Sequence, residues 1–178
     1  MTLLSVILCA HNPRAAHFAR TLAALRAQTA PQETWELLGI DNVSSPPLEL
    51  PAGFFPSSAR IVREPVLGAV AARLRGIAEA RGGLLVFVDD DNVLAPDFLA
   101  QAAMLAEREP ALGAFGGRIQ GEFEVPPSPW FAARLDRLAI REFTTATRTR
   151  DMDAALALCG AGLCVRAEVA RHHRERVL

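Results

Sequence analysis

Short runs of apolar residues, typical of strands buried on both faces, recur along the chain. The runs are rich in Leu, Ile and Val, and each is followed by polar or proline-containing sequence, as in a parallel sheet. The pattern predicts strands at residues 3–9, 35–41 and 84–88, with a further short strand at 59–64. The Ser- and Pro-rich stretch at 42–58 is predicted to be a loop.

Between these strands, apolar residues recur at the spacing of amphipathic helices. Asn12 is placed to cap the first of these helices, with Pro13 in its first position. In the second helix, Val70, Leu74 and Ile77 fall on one face, and Gly82-Gly83 ends the pattern. The predicted helices are 13–28, 67–81 and 96–109.

The regular alternation weakens after Leu112. A strand is predicted within 112–119, a short helix within 126–138 and a late strand within 155–167. The order of elements predicts an α/β fold: an open, mostly parallel, twisted sheet flanked by helices in three layers, as in Rossmann-like proteins. With no internal repeat or linker, residues 1–178 are predicted to form a single domain.

Composition narrows the function classes. The chain has 178 residues, 51% of them hydrophobic and 22% charged, with a net charge of −1, which argues against a nucleic-acid partner. It contains no lysine, which excludes a lysine Schiff base or a phosphate-loop lysine. The three cysteines form no CxxC motif, and the N-terminal apolar run is too short to span a bilayer. We therefore expect a cytoplasmic protein, with membrane association only if the full-length protein extends further.

Three adjacent carboxylates, Asp89, Asp90 and Asp91, follow the apolar run at 84–88. If the chain stays extended there, Asp89 and Asp91 point to the same side. Two converging carboxylates suit Mn²⁺ or Mg²⁺, which complete their coordination with water and substrate phosphate. The alternative is a solvated acidic turn that caps the next helix. A position directly after a buried strand favours the metal site.

Other polar residues stand at further strand ends, where ligands of parallel sheets bind. His11 and Asn12 follow the first strand and Asp41 ends the second. Asp41 could accept hydrogen bonds from a base or ribose, or form a local Asx-turn. Arg73, on the helix before the acidic strand, could reach a diphosphate, fix Asp89, or simply lie at the surface.

Together these segments resemble the nucleotide-sugar glycosyltransferases of family 2, which have the GT-A fold. The resemblance is carried, in order, by "SVILCAHNP" (5–13), "IDNVSS" (40–45), "LGAVAARLRGIAEA" (67–80) and "FVDDDNVLAPDFL" (87–99), the last containing a DxD motif. "GAFGGRI" (113–119) and "CGAGLCVRAEV" (159–169) are similar, less strongly, to the fifth-strand region and the acceptor-side strand of the family.

The resemblance implies an inverting hexosyltransferase that moves a sugar from a nucleotide diphosphate, often UDP, to an acceptor hydroxyl. Residues 1–100 would form the nucleotide-sugar-binding half and 101–178 part of the acceptor-side half. Asp91, with Asp89, would bind the metal, and Trp130 and Gly160 would lie on the acceptor side, although Trp130 could equally anchor a loop. The implied nucleotide-binding residues are Ala10, His11, Asn12, Asp41, Arg73, Asp89 and Asp90.

The chain departs from the family pattern at two places. Leu74 stands where the family has asparagine, and no "ED" pair follows the "GAG" strand. In the family that pair supplies the general base, so we expect the base to lie beyond residue 178, in a longer protein. Glu168 is better explained as a helix-start residue.

Two alternatives and one open question accompany this interpretation. The same sheet and metal would serve a nucleotidyltransferase-like enzyme, and a chain without its base could be a non-catalytic nucleotide-sugar-binding domain. The acceptor could be a saccharide, a lipid-linked molecule or a protein. Five arginines at 134–150 would suit a polyanionic or lipid-phosphate acceptor, or form a solvated helix face.

Overall fold

The protein was analysed as a computed structural model that describes residues 3–51, 58–135, 138, 140, 143–150 and 158–177. Six strands, five α-helices and one short 3₁₀ helix (Gln32–Thr34) are defined within these residues. The strands are β1 (Leu4–Ala10), β2 (Trp35–Asp41), β3 (Arg60–Arg63), β4 (Leu84–Asp89), β5 (Ala114–Phe115) and β6 (Leu163–Arg166). The helices are α1 (Ala15–Arg26), α2 (Ala69–Glu79), α3 (Phe98–Arg108), α4 (Pro129–Ala132) and α5 (Ala167–Val177).

The strands form one mixed sheet in the order β3-β2-β1-β4-β6-β5. The first four in this order run parallel, whereas β6 is antiparallel to both β4 and β5. The chain therefore builds outward from β1 to β2 and β3, then returns to place β4 on the other side of β1. This reversal creates a crevice at the carboxyl ends of β1 and β4, the position where open α/β sheets bind ligands.

Helices cover both faces of the sheet, which confirms the predicted three-layer architecture. Successive strand residues point to opposite faces, so each strand contributes to two cores. One core joins Leu4, Val6 and Leu8 of β1 to residues of α1 and α3, and the other joins Ile7 to residues of α2 and α5. Within the described residues, no helix is long and apolar enough to cross a bilayer.

The start of the first helix differs from the sequence prediction. Asn12 is not an N-cap, because α1 begins at Ala15 and Asn12 adopts a left-handed conformation (φ 46°). Its polar atoms bind the loop after β2 instead.

The buried face of α2 also differs from the prediction. Val70 is 65% exposed, and the buried positions are Ala72, Gly76 and Ile77. Gly76 lies directly against the side chain of Ile7, so small residues bring this helix close to the sheet.

The weaker C-terminal predictions are confirmed in kind, although the elements are shorter. The strand predicted within 112–119 contains only two residues, Ala114 and Phe115, followed by a glycine pair. The short helix is α4, where the Ser128 hydroxyl accepts a hydrogen bond from the Phe131 amide. The late strand is β6, and the part of that prediction at 155–157 lies outside the described residues.

Gly82 meets the backbone of β1 at the amino end of the sheet. A Cβ there would lie 2.6 Å from the Leu3 carbonyl oxygen and 2.7 Å from the Ser5 amide nitrogen. The amide of Gly82 also donates to Ser5 Oγ, which in turn donates to the buried carboxylate of Glu36 at 2.6 Å. The Gly82→Ala change must therefore displace backbone rather than a flexible side chain.

We expect Gly82→Ala to lower the free energy of unfolding by about 3 kcal/mol, because overpacking against fixed atoms forces the backbone apart. Urea denaturation would measure the change. Gly117→Ala is the matched control, since a Cβ at Gly117 meets only the Phe98 ring at 3.8 Å. Equal, small effects of the two substitutions would refute the close backbone approach.

Candidate functional site

The site predicted from the sequence lies at the carboxyl ends of β1, β2 and β4, which are adjacent in the sheet. Cys9 on β1 is in register with Asp89 on β4, and Ala10 is in register with Asp41 on β2. The segments that follow these three strands therefore meet at one edge. The fold thus brings together the polar strand ends that are separated by up to eighty residues in the sequence.

The acidic segment turns sharply instead of remaining extended. The Asn92 amide donates to the Asp89 carbonyl at 3.1 Å, and Asn92 Oδ1 accepts from the Asp89 amide at 2.9 Å. The strand alternation assumed for Asp89 and Asp91 therefore ends at Asp89. Among the described residues, no group of three or more His, Cys, Asp or Glu side chains is arranged as a complete metal site.

The three carboxylates of this turn have different surroundings. Asp89 Oδ1 accepts from Arg73 Nη2 at 2.9 Å. Asp91 is exposed, and its Oδ1 accepts from the neutral Asn92 amide at 3.0 Å. Burial raises the pKa of Asp90, and the charges of Asp91 and Asp89 raise it further, against a hydrogen bond from the His11 backbone. Negative charge is therefore only partly compensated at the turn.

Arg73 lies at the candidate site. Three roles were predicted for it, and the structure shows the one in which it holds Asp89. Its side chain is 37% exposed, and Gly160 packs directly against its guanidinium. Cys9 lies close by. Burial raises the pKa of the Cys9 thiol to about 12, with Arg73 opposing and Asp89 adding to the shift, so the thiol is neutral at physiological pH.

Asp41 is 2% exposed, and its carboxylate is bound by protein groups. Oδ1 accepts from the Ser44 amide at 2.9 Å, and Oδ2 accepts from the Leu48 amide at 3.4 Å and from Arg63 Nη1 at 2.5 Å. Burial acts to raise the pKa of Asp41, but the bonds from Ser44 and Leu48 and the charge of Arg63 outweigh it, so the pKa is lowered. The local turn is thus formed, and Asp41 holds the loop after β2.

His11 and Asn12 join the loops after β1 and β2. His11 Nδ1 donates to the Asn42 carbonyl at 2.6 Å, and Asn12 Nδ2 donates to His11 Nε2 at 3.1 Å, which fixes the neutral Nδ1–H tautomer. Asn12 also accepts from the Ser45 amide and donates its own amide to Ser44 Oγ. A cavity of about 500 Å³ opens beside Asn12, between the start of α1 and residues 45–49.

Asn42 is a residue that the sequence interpretation left without a role. It is 3% exposed, its side-chain amide donates to the Val66 carbonyl at 2.7 Å, and its Oδ1 accepts from the Gly68 amide at 2.7 Å. Asn42 therefore ties the loop after β2 to the segment that begins α2, the helix carrying Arg73. The sequence signal that could have identified Asn42 is its position directly after Asp41, the aspartate that ends β2.

Asn42→Ala is expected to lower the free energy of unfolding by about 2–3 kcal/mol, because the buried Asn42 side chain makes three hydrogen bonds, to the Glu64 and Val66 carbonyls and from the Gly68 amide, and all three are lost. Thermal or urea denaturation would measure this. Asn92→Ala is the control, since its bonds lie in a more exposed turn. A loss no larger than that of the control would contradict the linking role of Asn42.

Trp130 has a different setting from the other candidates. Its side chain is 66% exposed, the Arg134 guanidinium lies 4.3 Å from its ring centre, and Arg134 Nη1 donates to its carbonyl at 2.9 Å. These contacts are internal to α4 and the turn after it. Within the part of the chain that the structure describes, these contacts link Trp130 neither to the core nor to the acidic turn.

The architecture and the acidic edge together define a GT-A type domain, a class of nucleotide-sugar-binding α/β proteins. The glycosyl transferase family 2 model matches residues 5–170, so the chain belongs to that family. No protein among the curated sequences matches the chain.

Solved structures share this fold. A mannosyltransferase, PcManGT from Pyrobaculum calidifontis, in complex with GDP-Man and Mn²⁺, has a TM-score of 0.61 at 19% identity, covering 99% of this chain and 46% of its own. S. aureus TarS 1–349 in complex with UDP has a TM-score of 0.59 at 17% identity, covering 71% of this chain and 38% of its own. A complex of TarS 1–349 with UDP-GlcNAc gives 0.58 at 15% identity, covering 71% and 37%. The chain spans less than half of the length of each of these proteins.

Proposed function

We propose that this protein is an inverting glycosyltransferase that binds a nucleotide-diphosphate sugar, with UDP as the expected nucleotide, at the carboxyl ends of β1, β2 and β4. The observation that carries the proposal is the acidic turn 89–91 at the point where the strand order reverses. Family membership favours glycosyl transfer over the nucleotidyltransferase alternative. The nucleotide ligands named for TarS and PcManGT support a donor of this class.

The acidic turn fits a partial set of ligands for Mn²⁺ or Mg²⁺. Asp89 is paired with the Arg73 guanidinium, and the exposed Asp91 has a neutral amide as its hydrogen-bond partner. Both cations accept a small number of carboxylates and complete their coordination with water and phosphate oxygens. Asp91 would be the main ligand, with Asp89 contributing. Such a cation stabilises the negative charge that develops on a departing diphosphate.

The remaining residues of the edge position the nucleotide. Ala10 ends β1, and His11 and Asn12 follow it. The segment lies beside the acidic turn, because Cys9 on β1 is in register with Asp89 on β4. We propose that this segment contacts the nucleotide. Asp41 has its oxygens bound by Ser44, Leu48 and Arg63, so its contribution to base binding is to shape the loop beside Asn12. Arg73 supports the site by holding Asp89.

Glu168 does not fit the role of the general base in this proposal. β6 is antiparallel to β4 and pairs Leu84 with Arg166, so Glu168 lies at the amino end of the sheet. Asp89 is five residues further along β4, about 17 Å away at roughly 3.3 Å per residue. Glu168 lies in the first turn of α5, as expected for a helix-start residue. We therefore propose that the base follows residue 178, on the acceptor side where Gly160 meets Arg73.

Acceptor and location follow the same proposal. The acceptor is a hydroxyl of a saccharide, a lipid-linked molecule or a protein, approaching over the Gly160 segment. Cys9, Cys159 and Cys164 form no disulfide among the described residues, which suits the reducing cytoplasm. We place the protein there, at the membrane face if the full-length protein carries an anchor.

A thermal-shift screen tests the proposed function. UDP-, GDP- and dTDP-sugars are added separately, each with and without Mn²⁺, and the melting temperature is recorded. The proposal predicts stabilisation by one nucleotide class that requires the metal. Metal-independent stabilisation, or none with any donor, would contradict it. Release of free nucleotide only when an acceptor is supplied to the full-length protein would distinguish transfer from simple binding.

A further inference from the structure

Gly160 is joined to the acidic edge through Arg73. A Cβ on Gly160 would lie 2.8 Å from Arg73 Cζ and closer still to Nη2. The same Nη2 donates to Asp89 at 2.9 Å. The acceptor-side segment therefore packs on the group that neutralises Asp89, and only a residue without a side chain leaves the guanidinium in that position.

Two further contacts fix this arrangement. The Gly162 amide donates to the Phe87 carbonyl at 3.0 Å, which ties the segment to the end of β4, two residues before Asp89. On the other side, Gly76 lies directly against Ile7, which brings α2 close to β1. Arg73 precedes Gly76 by three residues and so lies on the same face of α2. The Arg73 guanidinium, on a side chain that is 37% exposed, thus lies between Asp89 at the end of β4 and Gly160.

We propose that Gly160 is a positioning residue of the donor site: it seats the Arg73 guanidinium on Asp89 and so sets the charge that the acidic turn offers to a cation. A side chain at 160 moves the guanidinium away and leaves Asp89 uncompensated. The seating of the acceptor-side segment and the electrostatics of the donor edge are thereby coupled. The test by cation binding rests on the proposed function, whereas the packing of Gly160 on Arg73 does not.

A double-mutant cycle tests this coupling with four proteins: the wild type, Gly160→Ala, Arg73→Met and the double variant. The affinity for Mn²⁺ alone is measured by electron paramagnetic resonance of the free ion. Gly160→Ala is expected to bind Mn²⁺ about two- to five-fold more tightly, the effect expected from freeing a partly exposed carboxylate. Arg73→Met should do the same, and the double variant should equal Arg73→Met. Arg73→Lys should restore part of the wild-type value.

Additive effects of Gly160→Ala and Arg73→Met would overturn the inference, as would an affinity of Gly160→Ala equal to that of the control Gly117→Ala. If Mn²⁺ binds none of the proteins, the proposed metal site fails, but Gly160 is still tested by guanidinium NMR signals of the metal-free protein. One arginine signal should shift in Gly160→Ala and be absent in Arg73→Met; an unchanged spectrum refutes the contact. If Gly160→Ala does not fold, Arg73→Ala in the same chain should restore folding, and failure to do so also refutes it.

Discussion

Asp91→Asn is expected to weaken the binding of a nucleotide diphosphate in the presence of Mn²⁺ by at least about 100-fold, since loss of an outer-shell partner alone costs 10- to 100-fold in metal affinity. Asn keeps the size and a neutral oxygen but removes the charge. Asp91 is the exposed member of the turn and forms no ion pair with an arginine among the described residues, whereas Asp89 is already paired with Arg73. Isothermal titration of the nucleotide with and without Mn²⁺ would measure the effect.

Asp97→Asn is the matched control for this experiment. Asp97 precedes α3 a few residues after the acidic turn and is bound by Gln101 at 3.4 Å. Asp97→Asn removes the same charge as Asp91→Asn, so any general electrostatic effect on nucleotide binding appears in both variants. Without Mn²⁺, the two variants should bind nucleotide alike. Equal weakening by Asp91→Asn and Asp97→Asn in the presence of Mn²⁺ would show that Asp91 is not a metal ligand.

Asp41→Ala is expected to lower the free energy of unfolding by about 3 kcal/mol, the lower end of the cost of breaking a buried ion pair. The substitution leaves the Ser44 and Leu48 amides without their acceptor. The cost stays at the lower end because Arg63, at 49% exposure, can return to water. Urea denaturation at neutral pH would measure it, and a loss below that of Asp97→Ala would contradict the role of Asp41 in the loop.

The lowered pKa of Asp41 also predicts that the stability of the protein depends on pH. Its pKa in the folded protein is below the ordinary value of 3.8, so its stabilising contribution is present above pH 3.8 and is lost as the pH falls through the folded-state pKa. The stability difference between the wild type and Asp41→Asn should therefore shrink as the pH falls below about 4. A difference that stays constant down to pH 2 would contradict the lowered pKa.

The strands were predictable because parallel strands covered on both faces are continuous apolar runs. β2 has the predicted bounds, β4 is one residue longer at its end, and β1 is shifted by one residue at both ends. The helix starts were less predictable, since they depend on contacts distant in sequence. Asn12 has the chemistry of an N-cap, but its side chain accepts from the Ser45 amide, 33 residues away, and its backbone amide donates to Ser44 Oγ.

The candidate site was also predictable only in part. Strand ends predicted that the segments after β1, β2 and β4 meet, and the pairing of Arg73 with Asp89 was one of the predicted alternatives. The contact of Gly160 with Arg73 was not predicted. The partners of each carboxylate were not predictable, because Asp89, Asp90 and Asp91 are equivalent in the sequence and differ only through the turn made by Asn92. Likewise, burial of Asp41 depends on Arg63, which lies on another strand.

The most direct test of the account is anomalous diffraction at the manganese edge from crystals of the protein grown with UDP and Mn²⁺. An excess of carboxylates beside the crevice should recruit the ion, so one strong peak is expected between an Asp91 oxygen and the diphosphate. Nucleotide seated in the crevice without that peak, or manganese bound only elsewhere on the molecule, would contradict it.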